Sequence, residues 1–437
     1  MNTFRLTTLS LFLGVAILAL YVNDAFSEEY GFDISEVEKK PYHLGGYIEF
    51  RPVLFGLDRD AALYKLKFYN RDEGEIIGEY NGKFQVDGSL EKGIGRLFVR
   101  INSDYRNSYQ GDSFLTTFYE GYLSLKPSSS FSLAMGKRSL RWGKGYAWNP
   151  AAFLDRPKDP EDPELSQEGF IVASADYIKS FSGPLQTLSL TPVLLPVYDG
   201  LNDDFGKLHH INVGGKLYLL LYDTDLDFIF LTGGSKTTSW GFDVSRNITT
   251  NFEMHGEFAF LSGFQKRYLA PDGRILAREF DATSWLAGIR YLTEQDTTCI
   301  VEYYRNGVGF SGGETRDYFA FVNGAYDTYR ATGDDDQLRK AAGLAEVGYG
   351  RMNPMRDYLY ARVSQKEPFD ILYLTPAITA IVNLNDGSFS LSPELFYTGI
   401  TNWELRLKGT LLEEGSLTEF GEKQNDFRVE LRVRYYF

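Results

Sequence analysis

The chain has 437 residues, with 45 Lys or Arg against 59 Asp or Glu, so its formal net charge is -14 at pH 7. An acidic chain is a poor ligand for nucleic-acid phosphates, and it contains no phosphate-binding loop, paired-cysteine metal site or haem-attachment motif. The single cysteine, Cys299, has no partner for an internal disulfide. These features exclude a nucleic-acid binder and a disulfide-stabilised protein, and they favour a protein without cofactor or metal.

Residues 1–27 have the composition of a secretory signal peptide. Arg5 is the only basic side chain, an apolar stretch covers about residues 11–22, and residues 25–27 form a small-x-small cleavage pattern. An uncleaved anchor helix is the alternative, but such a helix needs about 20 apolar residues and this run is shorter. We therefore expect cleavage after residue 27 and a periplasmic N-terminal segment over residues 28–42.

From residue 43 to the end, apolar and polar side chains alternate in segments of strand length. Successive side chains of a strand point to opposite faces, so each segment has one apolar and one polar surface. A strand crosses a bilayer with about 9 to 11 residues. The predicted strands are 43–54, 76–88, 93–103, 113–125, 130–141, 169–179, 186–196, 210–221, 224–232, 237–246, 251–262, 281–292, 297–307, 356–364, 372–383, 388–398, 402–412 and 425–437. This pattern predicts an all-β fold, an antiparallel up-and-down transmembrane barrel of about 18 strands (16–18) over residues 43–437.

The connections between these strands alternate in length. With the C-terminus on the periplasmic side, the long polar segments 142–168, 263–280, 308–355 and 413–424 all fall on the outer rim, as expected of bacterial barrels with short periplasmic turns. Residues 63–70 either extend an outer hairpin or form an extra strand.

The phase of each strand predicts which side chains face the lumen. An Arg or Lys on the lipid face at mid-membrane costs about 2–4 kcal/mol, so the charged positions belong in a hydrated interior. Closure of the barrel then groups basic side chains on one wall and acidic ones on the opposite wall. The basic wall comprises Arg51, Arg96, Arg100, Arg406, Lys408, Arg428, Arg432 and Arg434, and the acidic wall comprises Asp243, Glu253, Glu257 and Glu302.

Two interpretations of the basic wall stay open. It could guide an anionic or polyhydroxylated solute, because arginine offers two-pronged contacts to carboxylates and phosphates. It could equally be a structural salt-bridge ladder in which Glu404 and Glu430 neutralise part of the arginine charge.

Segment 136–168 is the most unusual part of the sequence. Four prolines prevent it from continuing a strand ladder, so we expect an ordered or extended loop. It could fold inward and narrow the pore, where its aromatic rings would stack on sugar rings and its basic groups would meet acidic ones, or it could cap the outer rim. The side chains concerned are Lys137, Arg138, Arg141, Trp142, Lys144, Tyr146 and Trp148.

Segment 333–342 contains a run of three aspartates, residues 334–336, after its first glycine. Aspartates at a helix start satisfy free N–H groups and meet the helix dipole, which predicts a short capped helix. A calcium site is the sharper alternative, but the spacing lacks the alternation and the glycine of an EF-hand loop.

In strand 425–437, the last eleven residues, 427–437, alternate apolar or aromatic side chains with charged ones, and the strand ends on Phe437. Here the sequence resembles the outer-membrane β-barrels of Gram-negative bacteria, whose last strand characteristically ends in an aromatic residue read by the barrel-insertion machinery; Tyr435, Tyr436 and Phe437 carry the match. The glycine-rich strand before residues 142–150, with WG-x-G and an NP turn, is loosely similar to porin-type families that include alginate-export-like barrels. The resemblance implies a porin in outer-membrane lipid that the assembly machinery recognises through Phe437.

Three classes of function follow from this interpretation. The leading one is a passive outer-membrane channel for small hydrophilic, anionic or saccharide solutes. The second is a structural barrel that sheaths or docks a periplasmic partner such as an electron-transfer cytochrome, with segment 28–42 as a contact. The third is a membrane-embedded hydrolase with His255 as base, but no activated serine is identifiable, so we expect no enzyme. Whether the protein assembles into a homotrimer stays open.

Overall fold

The computed structural model describes residues 40–413 and 415–437. The predicted signal peptide and most of segment 28–42 lie outside the described residues. The described part forms one 18-stranded antiparallel sheet. Its strands are β1 (Tyr42–Leu57), β2 (Ile76–Lys92), β3 (Gly95–Ser108), β4 (Gly111–Ser128), β5 (Phe131–Arg138), β6 (Phe170–Ser180), β7 (Leu185–Val197), β8 (His210–Leu221), β9 (Thr224–Thr232), β10 (Ser239–Thr249), β11 (Phe252–Leu269), β12 (Ile275–Leu292), β13 (Thr297–Arg305), β14 (Asp357–Gln365), β15 (Leu374–Asn383), β16 (Phe389–Tyr397), β17 (Trp403–Leu412) and β18 (Asn425–Tyr436).

The sheet closes into a barrel. Each strand pairs with its neighbours in sequence, and β1 pairs with both β2 and β18. At the seam Tyr47 lies opposite Tyr436 and Leu54 lies opposite Val429. Closure leaves no free sheet edge among these strands, so their backbone groups are paired all the way round. The predicted up-and-down barrel is confirmed.

The alternation of inward and outward side chains also agrees with the sequence pattern. On β17, Arg406 and Lys408 are 9% and 5% exposed, whereas Leu407 and Leu411 are 44% and 55% exposed. The charged face of this strand therefore points into the barrel and the leucine face points outward.

Three α-helices lie in the long connections at one rim. They are α1 (Ala62–Phe68), α2 (Gly312–Thr332) and α3 (Asp336–Leu344), followed by a π-helix (Ala345–Tyr349); a 3-10 turn (Pro368–Asp370) lies at the other rim. Tyr318 and Val322 of α2 and Leu344 of α3 form a buried cluster with Leu269 at the end of β11. Within the described residues, no helix is both long enough and apolar enough to cross a bilayer.

Two of the predicted loop assignments are wrong. Residues 63–70 belong neither to a strand nor to an extended hairpin, because most of them form α1, which buries Tyr64 and Phe68 four residues apart on one face. The predicted loop 263–280 is largely strand, since β11 and β12 stay paired as far as Leu269 and Ile275. Backbone hydrogen bonds sustain this ladder, so it continues where the apolar alternation has stopped.

The connection between β13 and β14 holds more helix than the sequence pattern predicted. The short helix at the aspartate run is confirmed as α3, although its N-cap Asp335 makes no side-chain cap hydrogen bond. The longer α2 was missed, and it begins with a capping box in which Ser311 and Glu314 satisfy each other's backbone N–H groups.

Candidate pore constriction

Residues 139–169, between β5 and β6, fold into the barrel, and we call them the inward segment. Their first anchor is Glu257 on the lumen face of β11. Its Oε1 accepts hydrogen bonds from the backbone N–H groups of Lys144 at 2.6 Å and Gly145 at 2.7 Å, and its Oε2 accepts one from Ala151 at 3.2 Å. A carboxylate that binds several N–H groups is a strong acceptor, so it fixes the backbone of the segment against this wall.

A second carboxylate holds the next residues. Glu302 on β13 accepts hydrogen bonds from the N–H groups of Tyr146 and Ala147, the latter at 2.9 Å. His255 Nε2 lies 2.8 Å from the same carboxylate. Glycine is needed at position 145, because a Cβ there would clash with the carbonyl oxygen of Trp148. The acidic wall thus binds the segment's backbone.

The segment also stabilises its own turns. The carboxylate of Asp155 accepts hydrogen bonds from the N–H groups of Leu140, Arg141 and Trp142 at 2.8, 3.0 and 2.9 Å. Lys158 donates to the carbonyl oxygen of Gly145 at 2.7 Å. Burial lowers the pKa of the Lys158 ammonium from its ordinary value, and the carboxylates of the acidic wall act in the opposite direction.

Apolar packing fills the space beside these contacts. Trp142 belongs to a cluster with Leu154 and with inward residues of β6, β7 and β9. Trp148 stacks on Tyr304 with ring centroids 5.1 Å apart and meets Tyr360 edge-on. Both tryptophans are at most 7% exposed. Their rings, which were predicted to contact sugar rings or the rim, are enclosed by the protein's own side chains.

The far end of the segment reaches the basic wall. Asp162 Oδ1 lies 3.0 Å from Arg406 Nη1, and Asp162 Oδ2 lies 2.7 Å from Arg432 Nη2. Glu161 pairs with Arg428, and its carbonyl oxygen accepts a hydrogen bond from Lys408 at 2.6 Å. The segment therefore spans the lumen from the acidic wall to the basic wall.

Burial and charge act against each other at Asp162. Burial would raise the pKa of its carboxyl, but Arg432 and Arg406 outweigh that effect and hold the pKa well below its ordinary value. The carboxylate is therefore ionised throughout the physiological range and stays paired with both guanidinium groups.

The arginines of this wall are linked through carboxylates into a ladder. Glu394 lies between Arg362 and Arg406, at 3.3 and 2.6 Å. Arg434 contacts Glu49 at 2.7 Å and Glu404 at 3.2 Å. Further along, Arg51 Nη1 lies 3.6 Å from Glu430 and Arg100 lies 3.0 Å from Glu120. Much of the basic charge is thus neutralised by neighbouring carboxylates, as in the ladder interpretation.

A cavity of about 540 Å³ lies beside the far end of the inward segment. Two of its charged side chains have no ion pair within the described residues, namely Arg290 and Glu164, although Tyr146 Oη lies 3.3 Å from the Glu164 carboxylate. Hydroxyl groups of Ser364 and Thr375 also line it. The cavity therefore presents both signs of charge and neutral hydrogen-bonding groups.

The structure brings together only part of the predicted site. Arg406, Lys408, Arg428 and Arg432 contact the inward segment directly. Other predicted residues lie elsewhere. Arg96 is 48% exposed and pairs with Glu91 of the same hairpin, Arg138 lies over the ring of Tyr122, and the Arg141 side chain is exposed.

Six charged residues of the ladder and of its contacts with the inward segment were missed by sequence reasoning: Glu49, Glu120, Glu161, Asp162, Arg362 and Glu394. Strand phase could have identified Glu49, Arg362 and Glu394, because each lies at an inward position of a predicted strand. No local signal marks Glu161 and Asp162, since their partners are in distant strands.

Two other predicted clusters can be compared with the structure. His255 Nδ1 lies 3.8 Å from Glu253 and its Nε2 contacts Glu302, so both ring nitrogens face carboxylates.

The carboxylates of Asp334, Asp335 and Asp336 lie within 4.8 Å of one another, but Arg339 pairs with Asp335 at 2.8 Å and with Asp336 at 2.5 Å.

No protein-family model matches the chain, and no curated protein matches it. The structure is similar to OccK11 (OpdR) of Pseudomonas aeruginosa, with a TM-score of 0.50 and 12% identity over 90% of this chain and 96% of that one. OccK5 (OpdH) of the same organism gives a TM-score of 0.50 and 12% identity over 90% of this chain and 98% of that one. The outer membrane protein opdK of Pseudomonas aeruginosa gives a TM-score of 0.49 and 9% identity over 90% of this chain and 99% of that one. The first two similarities show a shared fold, and the barrel predicted from the porin-type resemblance is confirmed.

Proposed function

We propose that the protein is an outer-membrane channel through which small hydrophilic solutes diffuse passively. The observation that carries the proposal is the combination of a closed barrel, an apolar outer surface and an interior lined by charged and hydroxyl side chains. Charged side chains inside a closed barrel are stable only in a hydrated lumen or when they are paired, and Arg290 and Glu164 have no ion partner among the described residues.

The inward segment is the constriction of this channel. It contacts both the acidic wall and the basic wall, so a solute would pass between it and the remaining wall. The residues that we assign to the constriction are Arg51, Arg100, Tyr146, Glu253, His255, Glu257, Arg406, Lys408, Arg428, Arg432 and Arg434. Trp142 and Trp148 act behind this surface, because their packing sets the position of the segment.

Anionic and polyhydroxylated solutes fit this lumen best. Arg290 is free to meet a carboxylate or phosphate, and the hydroxyl groups around the cavity suit a sugar. Facing groups of opposite sign would orient such solutes and hinder apolar ones.

A barrel that sheaths a periplasmic cytochrome is the second candidate. The inward segment counts against it, because a polypeptide that contacts both walls leaves no central space for a partner protein. Segment 28–42 could still contact a partner beneath the barrel. Export by a cleaved signal peptide and recognition of Phe437 by the assembly machinery belong to the same proposal.

Single-channel recording in a planar lipid bilayer tests the function. The signal-free protein, folded and heat-modifiable on a gel, should give stable ohmic steps with a measurable anion-to-cation permeability ratio. A variant lacking residues 143–163 should conduct more, because the constriction is removed. Folded protein that is silent in both forms would overturn the channel and favour the sheath.

A further inference from the structure

The two guanidinium groups around Asp162 form a complete carboxylate-binding site. Each carboxylate oxygen has its own guanidinium, at 3.0 Å from Arg406 and 2.7 Å from Arg432. Both arginines are buried, at 9% and 6% exposure. Paired guanidinium groups recognise a carboxylate through its shape as well as its charge.

The site is organised by the wall rather than by Asp162. Arg406 is held from its other side by Glu394 at 2.6 Å, and Arg432 contacts Glu430 at 3.3 Å. The buried Nε groups of Arg406 and Arg432 donate no hydrogen bond to any described residue. Departure of Asp162 would therefore leave an oriented pair of cations with unused donors.

The site is also accessible to a solute. Asp162, Arg406 and Arg432 all line the cavity of about 540 Å³ described above. At this end the segment is attached mainly by polar contacts, since Glu161 and Asp162 bind the basic wall through ion pairs and one lysine hydrogen bond. In water, a carboxylate solute can replace each of these ion pairs with one of its own to the same basic side chain.

We infer that Asp162 is an internal carboxylate ligand that occupies a solute-binding site, and that a carboxylate solute binds between Arg406 and Arg432 by displacing it. The inference rests on the proposed channel, for which it names the solute class and a resting, self-occupied state. A tethered ligand competes at an effective concentration on the order of millimolar. The apparent affinity of the solute is its affinity for the vacant site multiplied by the fraction of time for which Asp162 is away from that site.

Binding can be measured separately from conduction. Gluconate, a hydroxylated carboxylate, is titrated calorimetrically into the detergent-folded barrel, with glucose as the uncharged comparison. Removing the internal ligand in D162N should tighten gluconate binding about tenfold, the value of one charge-assisted hydrogen bond. Binding of glucose should not change.

E164Q is the matched control, because Glu164 lies on the same segment and the same cavity but forms no ion pair with a wall arginine in the described part of the chain. It removes the same charge and should leave gluconate affinity within about twofold. D162S provides a second variant if D162N folds poorly, and R406Q or R432Q in either background should abolish the gain.

Equal gluconate affinity in the parent protein, D162N and D162S would overturn the inference, as would an equal gain in E164Q. Persistence of binding after loss of both arginines would overturn it too. Single-channel recording of the same preparations tests the channel: tighter binding without conductance would support the internal ligand and contradict the channel, whereas conductance without a change in binding would do the reverse.

Discussion

Asp162 Oδ2 and Arg432 Nη2 lie 2.7 Å apart, although 270 residues separate them in the chain. The first is on the connection between β5 and β6, and the second is on the last strand. Their contact joins the inward segment to the basic wall, so the position of the constriction depends on both.

Loss of one arginine should alter ion selectivity. R432Q removes a positive charge beside the solute path, and a unit charge at about 4 Å in water is worth about 1 kcal/mol, or roughly fivefold in concentration. We expect the anion-to-cation permeability ratio to fall by up to about that factor. Reversal potentials across a salt gradient measure it. R96Q, at a half-exposed site away from the segment, should change little, and equal effects of both substitutions would contradict a localised filter.

Loss of the Glu257 carboxylate should release the first half of the inward segment. In E257Q one acceptor oxygen becomes an amide donor facing backbone N–H groups, and each hydrogen bond to a charged group is worth about 1.5–3 kcal/mol. We expect faster proteolysis between residues 144 and 158. E253Q is the control, since Glu253 lies on the same face of β11 but contacts Ser245 and His255 of the wall and, among the described residues, makes no hydrogen bond to the inward segment. Unchanged cleavage in E257Q would show that Glu257 is not needed to hold the segment, which would then depend on Glu302, Asp155 and the apolar packing.

Truncation of Trp148 should destabilise the whole barrel. Its ring lies against Tyr304 and Tyr358, and removal of a buried aromatic side chain costs about 3–5 kcal/mol. We expect W148A to lose its compact electrophoretic mobility at a lower temperature than the parent protein. W240A, which truncates an outward-facing ring of 49% exposure, should have a smaller effect in a lipid-like detergent.

Glu419 should make the connection between β17 and β18 sensitive to pH. Burial raises the pKa of its carboxyl from 4.5 to about 7, with Asp386 acting in the same direction and Lys423, Tyr358 and Asn383 against it. The folded connection therefore favours the protonated form. The free energy of unfolding of this connection should be highest below about pH 4.5. It should fall by about 3 kcal/mol in total as the pH rises to about 7, and it should stay level above that.

Hydrogen exchange of the Phe420 amide, which donates to Ser388, measures this opening. Protection should decline between pH 5 and 7 after correction for the intrinsic rate, and E419Q should remove the dependence. A profile that is identical in the parent protein and in E419Q would assign the pH effect to another group.

The sequence predicted most of the barrel because strand alternation is a local property. The order of side chains in β17 is enough to place Arg406 and Lys408 inside, whatever the other strands do. The location of the inward segment was left open between lumen and rim, because it depends on contacts with Glu257 and Glu302, more than 100 residues away. Prolines could indicate only that the segment is ordered.

The helices at the rim were predicted less well, for a different reason. Ser311 and Glu314 give a local capping signal for α2, but a long polar connection in a barrel favours a loop interpretation. Tyr64 and Phe68 have helical spacing, which is ambiguous in so short a stretch beside strands.

The inward segment also has a mechanical consequence. A wide barrel whose wall is one layer thick can flatten into an ellipse with little loss of backbone hydrogen bonding. The segment is fastened to Glu257 and Glu302 on one side and to Arg406 and Arg432 on the other, so it connects two walls of the barrel. Lateral pressure from the surrounding bilayer would then be carried by these contacts together with those of Lys408 and Arg428 to Glu161, and the roundness of the barrel would depend on ionic strength.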